Sequence, residues 1–293
     1  MKSGFIAVIG RPNVGKSSLI NAILGTKLSI VTNKSQTTRN NIKGIYTKDD
    51  VQIVFLDTPG IHEPHKKLNE SLNSMAYSSL KDADGVILVI DAKEKEVAKE
   101  YSLENLNINV PLFIVINKID LIRVEEAIKL KEKYSALYPN ATLIETVATK
   151  DFNVDELLKK VIDILPEGEF YYPEDDLTDR DMRFIASEII REKILVLLKE
   201  EVPHSLAVVI EGYKEKNKGT EIDATIIVEK TSQRAIVLGK EGKMIKRIGS
   251  LARKELENMI GTHVYLNLFV KVEPDWRNND RLLKLYGYDP KKN

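Results

Sequence analysis

Residues 10–17 read Gly-Arg-Pro-Asn-Val-Gly-Lys-Ser, the spacing G-x-x-x-x-G-K-[ST], between the apolar run FIAVI and a helix-forming stretch that starts at Lys16. In that context such a loop cradles phosphates. Gly10 and Gly15, with Asn13 and Val14 between them, let backbone N–H groups close round a phosphate, and the helix start adds positive potential. Lys16 can reach the β and γ oxygens, while the hydroxyl of Ser17, followed by Ser18, can ligate Mg2+. Asp57-Thr58-Pro59-Gly60 follows VQIVFL. It sets a carboxylate at a strand end, where it can hold the Mg2+ shell, and offers the Gly60 N–H to a γ-phosphate. Asn117-Lys118-Ile119-Asp120 follows PLFIVI. A carboxylate matches the N1–H and 2-amino donors of guanine, a pair adenine lacks, and the Lys118 stem can cover the base face. The chemistry these three groups imply together is binding and hydrolysis of a guanine nucleotide; an ATPase would need Asp120 to stay off the base.

A second constellation lies far along the chain. Gly239-Lys240-Glu241-Gly242 is followed by Lys243, Lys246, Arg247 and Arg253, and across 234–254 seven basic residues face one acid, Glu241. Two glycines in G-x-x-G permit close approach of a phosphate backbone, and an apolar groove beside them suits about four unstacked bases of single-stranded RNA. The same four residues alone also describe an ordinary tight turn.

These groups need scaffolds. From Phe5 to about Leu165, short Val- and Ile-rich runs (FIAVIG, 51–57, 85–91, 111–118, 142–148) alternate with helical periods over 16–24, 68–81, 93–106, 124–137 and 154–165. This predicts a doubly wound, mainly parallel α/β sheet with helical crossovers. Residues 166–181, PEGEFYYPEDDLTDRD, have two prolines, an acidic cluster and no sustained period, and read as a linker. Beyond it the pattern is α+β: a helix over 182–201, two strands, a short strand AIVL (235–238), a helix with Met244, Ile245, Ile248, Leu251, Ala252, Leu256 and Met259 inward, and a strand over 263–272. The expected division is 1–167, a linker 168–181, and 182–293.

The bulk properties bound the class. At 293 residues the chain has room for two cores, and the absence of cysteine excludes disulfides, thiolate metal sites and a cysteine nucleophile. Neither a signal peptide nor an apolar run of membrane-spanning length is evident, which predicts a cytoplasmic protein. Lysine plus arginine equals aspartate plus glutamate at 44 each, but the balance hides a split: about −4 up to residue 180 and +4 after it. The positive surplus sits where the G-x-x-G lies.

The phosphate and base motifs resemble those of the translation-factor-related GTPases, over roughly the first 165 residues. Lys34-Ser35-Gln36-Thr37-Thr38-Arg39 is similar to the switch segment of the Era and MnmE branch, which implies Thr38, in preference to Thr37, as a Mg2+ ligand in the GTP state. The resemblance also implies Val147-Ala148 at the fifth motif, where Ser-Ala is usual, with the Ala148 N–H offered to guanine O6. It gives Asn13 a role in holding K+ in place of an arginine finger. Ile61 stands where a water-orienting glutamine is found in Ras-like enzymes, so slow intrinsic hydrolysis is expected, with Lys16, Thr38, Gly60 and Asn13 as the catalytic set. Val237-Leu238 before the G-x-x-G and Ile245-Lys246-Arg247-Ile248-Gly249 after it resemble a KH signature of type II order. A GTPase domain followed by such a domain resembles the Era family of bacterial GTPases over essentially the whole chain. That resemblance implies the 3′ end of 16S ribosomal RNA and the 30S subunit as partners, a monomer, and an alternative peripheral location at the membrane. Trp276, Arg277 and Arg281 could equally contact RNA or cap the fold.

Overall fold

The computed structural model describes residues 1–26, 28, 42–58, 78–94, 108–198 and 205–288. The expected switch threonine Thr38, and Pro59, Gly60, Ile61, His62 and His65, lie outside the described residues, as do most of the helices expected over 68–81 and 93–106. The chain divides into two compact units, with the boundary between Asp179 and Arg180.

In the first unit, β1 (Lys2–Ile9), β3 (Val51–Asp57), β4 (Gly85–Asp91), β5 (Leu112–Asn117) and β6 (Thr142–Thr146) form a parallel sheet, and β2 (Ile42–Lys48) pairs antiparallel with β3 at one edge. The order is β2-β3-β1-β4-β5-β6. Apolar side chains on both faces explain the continuous Val and Ile runs. One face packs on α1 (Lys16–Leu24) and α3 (Val154–Ile164) through Ile6, Val8, Leu19 and Leu157; the other packs on α2 (Val124–Leu137) through Ala7, Ile9, Ile90 and Tyr134. Sequence patterning missed β2, an edge strand whose IKGIYTK lacks the all-apolar run of its buried neighbours. The strand order reverses around β1, so the carboxyl ends of β1, β3, β4, β5 and β6 share the edge where open α/β sheets bind ligands.

The stretch expected to link the domains is held along this sheet. Ser3 Oγ donates to the Glu169 carbonyl at 2.7 Å, the Tyr171 and Tyr172 amides donate to Gln52 Oε1 at 2.8 and 3.0 Å, and Lys43 pairs with Asp179 at 3.2 Å.

The second unit has α4 (Met182–Leu197), antiparallel β7 (Ala207–Lys216) and β8 (Gly219–Val228), α5 (Thr231–Leu238), α6 (Lys243–Ile260), β9 (Val264–Val272) parallel to β8, and a short α7 (Asp280–Leu285). Asp181 caps α4 by accepting from the Phe184 amide at 2.8 Å. One side of the sheet packs on α4, α5 and α6 around Ile190, Ile226, Val237, Ile248 and Leu256. Two expectations need correction. AIVL is the last turn of α5, not a strand: Gln233 Oε1 accepts from the Glu229 and Lys230 amides at 2.9 and 3.0 Å and starts a helix that its β-branched residues alone would disfavour. Leu251 and Met259 are not core; they are 42% and 43% exposed, and Ile248, Ala252 and Leu256 form the inward stripe of α6. No helix among the described residues is long and apolar enough to cross a membrane.

Candidate functional site

The loop after β1 is shaped by its glycines. Gly10 has φ +150°, and a Cβ there would fall 2.3 Å from the Val89 carbonyl oxygen of β4; at Gly15, with φ +106°, it would fall 2.1 Å from Asn117 Nδ2. Asn13 between them is also left-handed, at φ 65°. The resulting curl feeds directly into the first turn of α1, where Lys16 and Ser17 are buried. Lys16 Nζ donates to the carbonyls of Gly10 and Arg11, each at 3.0 Å, and so spans the loop. Burial lowers its pKa to about 8, against the opposing pull of Asp57. A bound phosphate chain restores the charge, so nucleotide binding is expected to take up about half a proton at pH 8. Calorimetry in buffers of differing ionisation enthalpy measures this, and the uptake should vanish near pH 6.

Ser17 Oγ donates to Asp57 Oδ2 at 2.9 Å, and Asp57 is fully buried at the end of β3. Hydroxyl and carboxylate oxygens beside a glycine cradle fit a hard cation carrying phosphates, which is the Mg2+ chemistry expected of these two residues. Thr58 Oγ1 donates to the Val8 carbonyl at 2.7 Å and fastens this turn to β1. The Ser18 and Val14 backbone belongs to the same loop and helix start.

At the base side, Asn117 is a fastener. Its Nδ2 donates to the Val14 carbonyl at 2.9 Å, and its Oδ1 accepts from Thr146 Oγ1 at 3.2 Å and from the Ala148 amide at 3.1 Å. Three loops meet on one buried amide. The Ala148 N–H, expected at guanine O6, is directed to Asn117 here, and Val147 is buried. Lys118, left-handed at φ 63°, carries its ammonium to Asp91 Oδ2 at 2.7 Å and to the Asn13 carbonyl, which lays its stem across the phosphate loop. Asp120 follows in a short 3-10 turn and pairs with Lys150 at 2.7 Å. Sequence reasoning overlooked Asp91, Thr146 and Lys150. Asp91 closes the run GVILVID as Asp57 closes VQIVFLD, a parallel that could have revealed it.

In the second unit the G-x-x-G turn joins α5 to α6. Gly239 has φ 69° and ψ 174°, and a Cβ there would lie 2.6 Å from Met244 Cβ; at Gly242, φ 72°, nothing among the described residues lies within 4 Å. One glycine is required by packing and the other leaves an open approach. Lys240, Glu241, Lys243, Lys246, Arg247 and Arg253 are all exposed around it, with Lys243 paired to Glu241 at 3.1 Å. Beside the turn, a groove of about 440 Å³ runs between α6 and β9, lined by Ile245, Lys246, Gly249, Arg253, Tyr265 and Leu268 among others. Apolar walls, a charged rim and a glycine entrance are what unstacked RNA requires.

The comparisons with known proteins cover both sites. The protein-family model for "50S ribosome-binding GTPase" matches residues 5–118, and that for "KH domain" matches 201–277. GTPase Era of Lactobacillus delbrueckii subsp. bulgaricus is 47% identical over 99% of this chain and 97% of its own length. GTPase Era of Ruminiclostridium cellulolyticum is 43% identical over 100% and 99%. The chain belongs to the Era family of GTPases. Two solved Era structures, each 41% identical, agree in fold: one in complex with MgGDPNP and nucleotides 1506–1542 of 16S ribosomal RNA, at TM-score 0.95 over 99% of both chains, and an Aquifex aeolicus Era variant bound to GDP·AlF4−, at 0.94 over 99% of this chain and 100% of that one.

In this Era-family chain the described segment after β9, through Tyr288, is packed. Trp276 is fully buried; its Nε1 donates to the Ser205 carbonyl at 3.1 Å, and Tyr286 and Tyr288 contact its ring at 5.6 and 5.8 Å. Arg277 pairs with Glu229, just ahead of α5, and Arg281 is exposed. Trp276→Ala is therefore expected to destabilise the second unit by about 3–5 kcal/mol. Denaturant unfolding followed by circular dichroism measures that loss, and affinity for guanine nucleotide should be unchanged.

Proposed function

We propose that the protein is a GTP-hydrolysing switch that binds single-stranded small-subunit ribosomal RNA near its 3′ end and assists 30S subunit assembly as a cytoplasmic monomer. The observation that carries this is full-length similarity to an Era captured with MgGDPNP and a 16S fragment, together with both matching sites in one chain. Gly10 to Ser18, with Thr58 and Pro59, enclose the phosphates; Ser17, Asp57 and Thr38 hold Mg2+. Asn117, Lys118, Asp120, Val147 and Ala148 form the base site. Lys16, Thr38, Gly60 and Asn13 act on the γ-phosphate, Asn13 through K+. Residues 1–167 form the nucleotide domain and 182–293 the RNA domain, joined by 168–181. Peripheral attachment to the membrane is the alternative location, and cell fractionation distinguishes it.

Ile61 favours a second reading, an RNA-binding assembly scaffold with negligible turnover. Single-turnover GTP hydrolysis with and without RNA separates the two. The switch reading expects slow turnover that RNA changes, faster in K+ than in Na+, with Asn13→Ala removing the difference. No hydrolysis under any condition supports the scaffold, and equal rates in both ions overturn the K+ role.

A further inference from the structure

Strand β9 presents two different faces. Val264, Leu266, Leu268 and Val270 pack toward the helices, whereas Tyr265, Asn267 and Phe269 point to the other side of the sheet. Tyr265 and Phe269 are 49% and 58% exposed. β9 is an edge strand, and the same strand forms one wall of the groove between α6 and β9. RNA in the groove that continues past this edge meets those two rings. We propose that Tyr265 and Phe269 form a stacking platform for nucleotides flanking the groove; this rests on the reading that the groove holds single-stranded RNA.

Several features suit the platform to bases. The rings are four residues apart, about 13 Å along a strand, so each takes its own base. His263 meets Tyr265 edge-on at 4.7 Å between ring centroids and braces it. The acids next to the rings are already engaged: Glu221, opposite Tyr265, pairs with Lys216 at 2.5 Å, and Asp223 accepts from Asn267 Nδ2 at 2.8 Å. Their repulsion toward phosphate is therefore reduced. Every base has a stackable face, so the platform adds affinity for flanking nucleotides without demanding their sequence. The groove reads bases; the platform reads length.

The test measures fluorescence anisotropy with two RNAs from the 16S 3′-terminal segment, one of about four nucleotides that fills the groove and one of about twelve extended at both ends. In the wild-type protein the longer RNA should bind more tightly, whether its flanks are uridine or adenosine. Phe269→Ala and Tyr265→Ala should each weaken the longer RNA about ten-fold, and Phe269→Ala, at a ring that does not line the groove, should change the shorter less than about two-fold. Phe269→Trp should restore binding, which a folding defect would not allow, and 2-aminopurine in the flank should be quenched by wild type and not by Phe269→Ala. Equal losses on both RNAs in Phe269→Ala, or no loss on the longer one in either variant, overturn the proposal. So does a finding that the alanine variants lose only a protein partner. If wild type binds neither RNA, or if Gly242→Asp leaves both as tightly bound as in the wild type, the groove reading itself has failed, a result distinct from loss of the platform alone.

Discussion

Asp120→Asn is expected to move base preference from guanine to xanthine, with GDP affinity falling about 10²-fold or more and xanthosine diphosphate becoming the better ligand. Guanine offers two donors, N1–H and the 2-amino group, and an asparagine can face them with only one acceptor, leaving a donor opposed to a donor in a partly enclosed site. Xanthine has a carbonyl at position 2, which the asparagine amide can satisfy. Lys150 strengthens the switch. In the wild-type chain its ammonium is bound to Asp120 at 2.7 Å. With the carboxylate removed, that cation is free to donate to the xanthine oxygen. Asp120→Asn with Lys150→Ala should therefore bind xanthosine diphosphate several-fold more weakly than Asp120→Asn alone. Displacement of a fluorescent guanine nucleotide by each competitor measures all three proteins. If Asp120→Asn still prefers guanine, Asp120 does not read the base.

The same corner shows what was legible beforehand and what was not. The phosphate loop, Asp57 and Asp120 were readable because each motif is contiguous and closes or follows an apolar strand. Asn117 was readable as part of the base motif, but its work was not. The bonds to Val14, Thr146 and Ala148 join residues that are 103, 29 and 31 positions away, and no local pattern encodes which strands lie side by side. Lys150 was hidden for the same reason: it looks like any surface lysine until β5 and β6 pair. In the second unit, AIVL misled because Ile236 and Val237 favour strands, while the glutamine that caps the helix lies two positions upstream. Leu251 misled differently. On a helix one apolar residue can lie a turn's fraction outside the buried stripe, and only the packed sheet defines the stripe's edge.

Gly239 and Gly242, which one motif groups together, are expected to fail in opposite ways. Gly239 sits at φ 69° and ψ 174°, a region essentially reserved for glycine, and its missing Cβ would lie 2.6 Å from Met244 Cβ and 2.9 Å from the Met244 backbone nitrogen. Backbone cannot retreat as a flexible side-chain end can. Gly239→Ala should cost about 3 kcal/mol of stability in the second unit, the strain of the conformation added to the clash, and should weaken RNA binding only as far as the turn is displaced. At Gly242 there is open space and an ordinary left-handed conformation, which aspartate tolerates better than most residues. Gly242→Asp should therefore cost about 1 kcal/mol in stability. It nevertheless places a carboxylate where a phosphate must approach, and repulsion at that distance is worth about 1–4 kcal/mol near a protein surface, enough to lower RNA affinity about 10²-fold. Thermal unfolding and RNA anisotropy on the two variants give a crossed pattern, stability lost in one and affinity in the other. Basal GTP hydrolysis should be retained in Gly242→Asp, because the substituted residue lies in the second unit. Should Gly242→Asp bind RNA as well as the wild type, the G-x-x-G is only a turn between two helices.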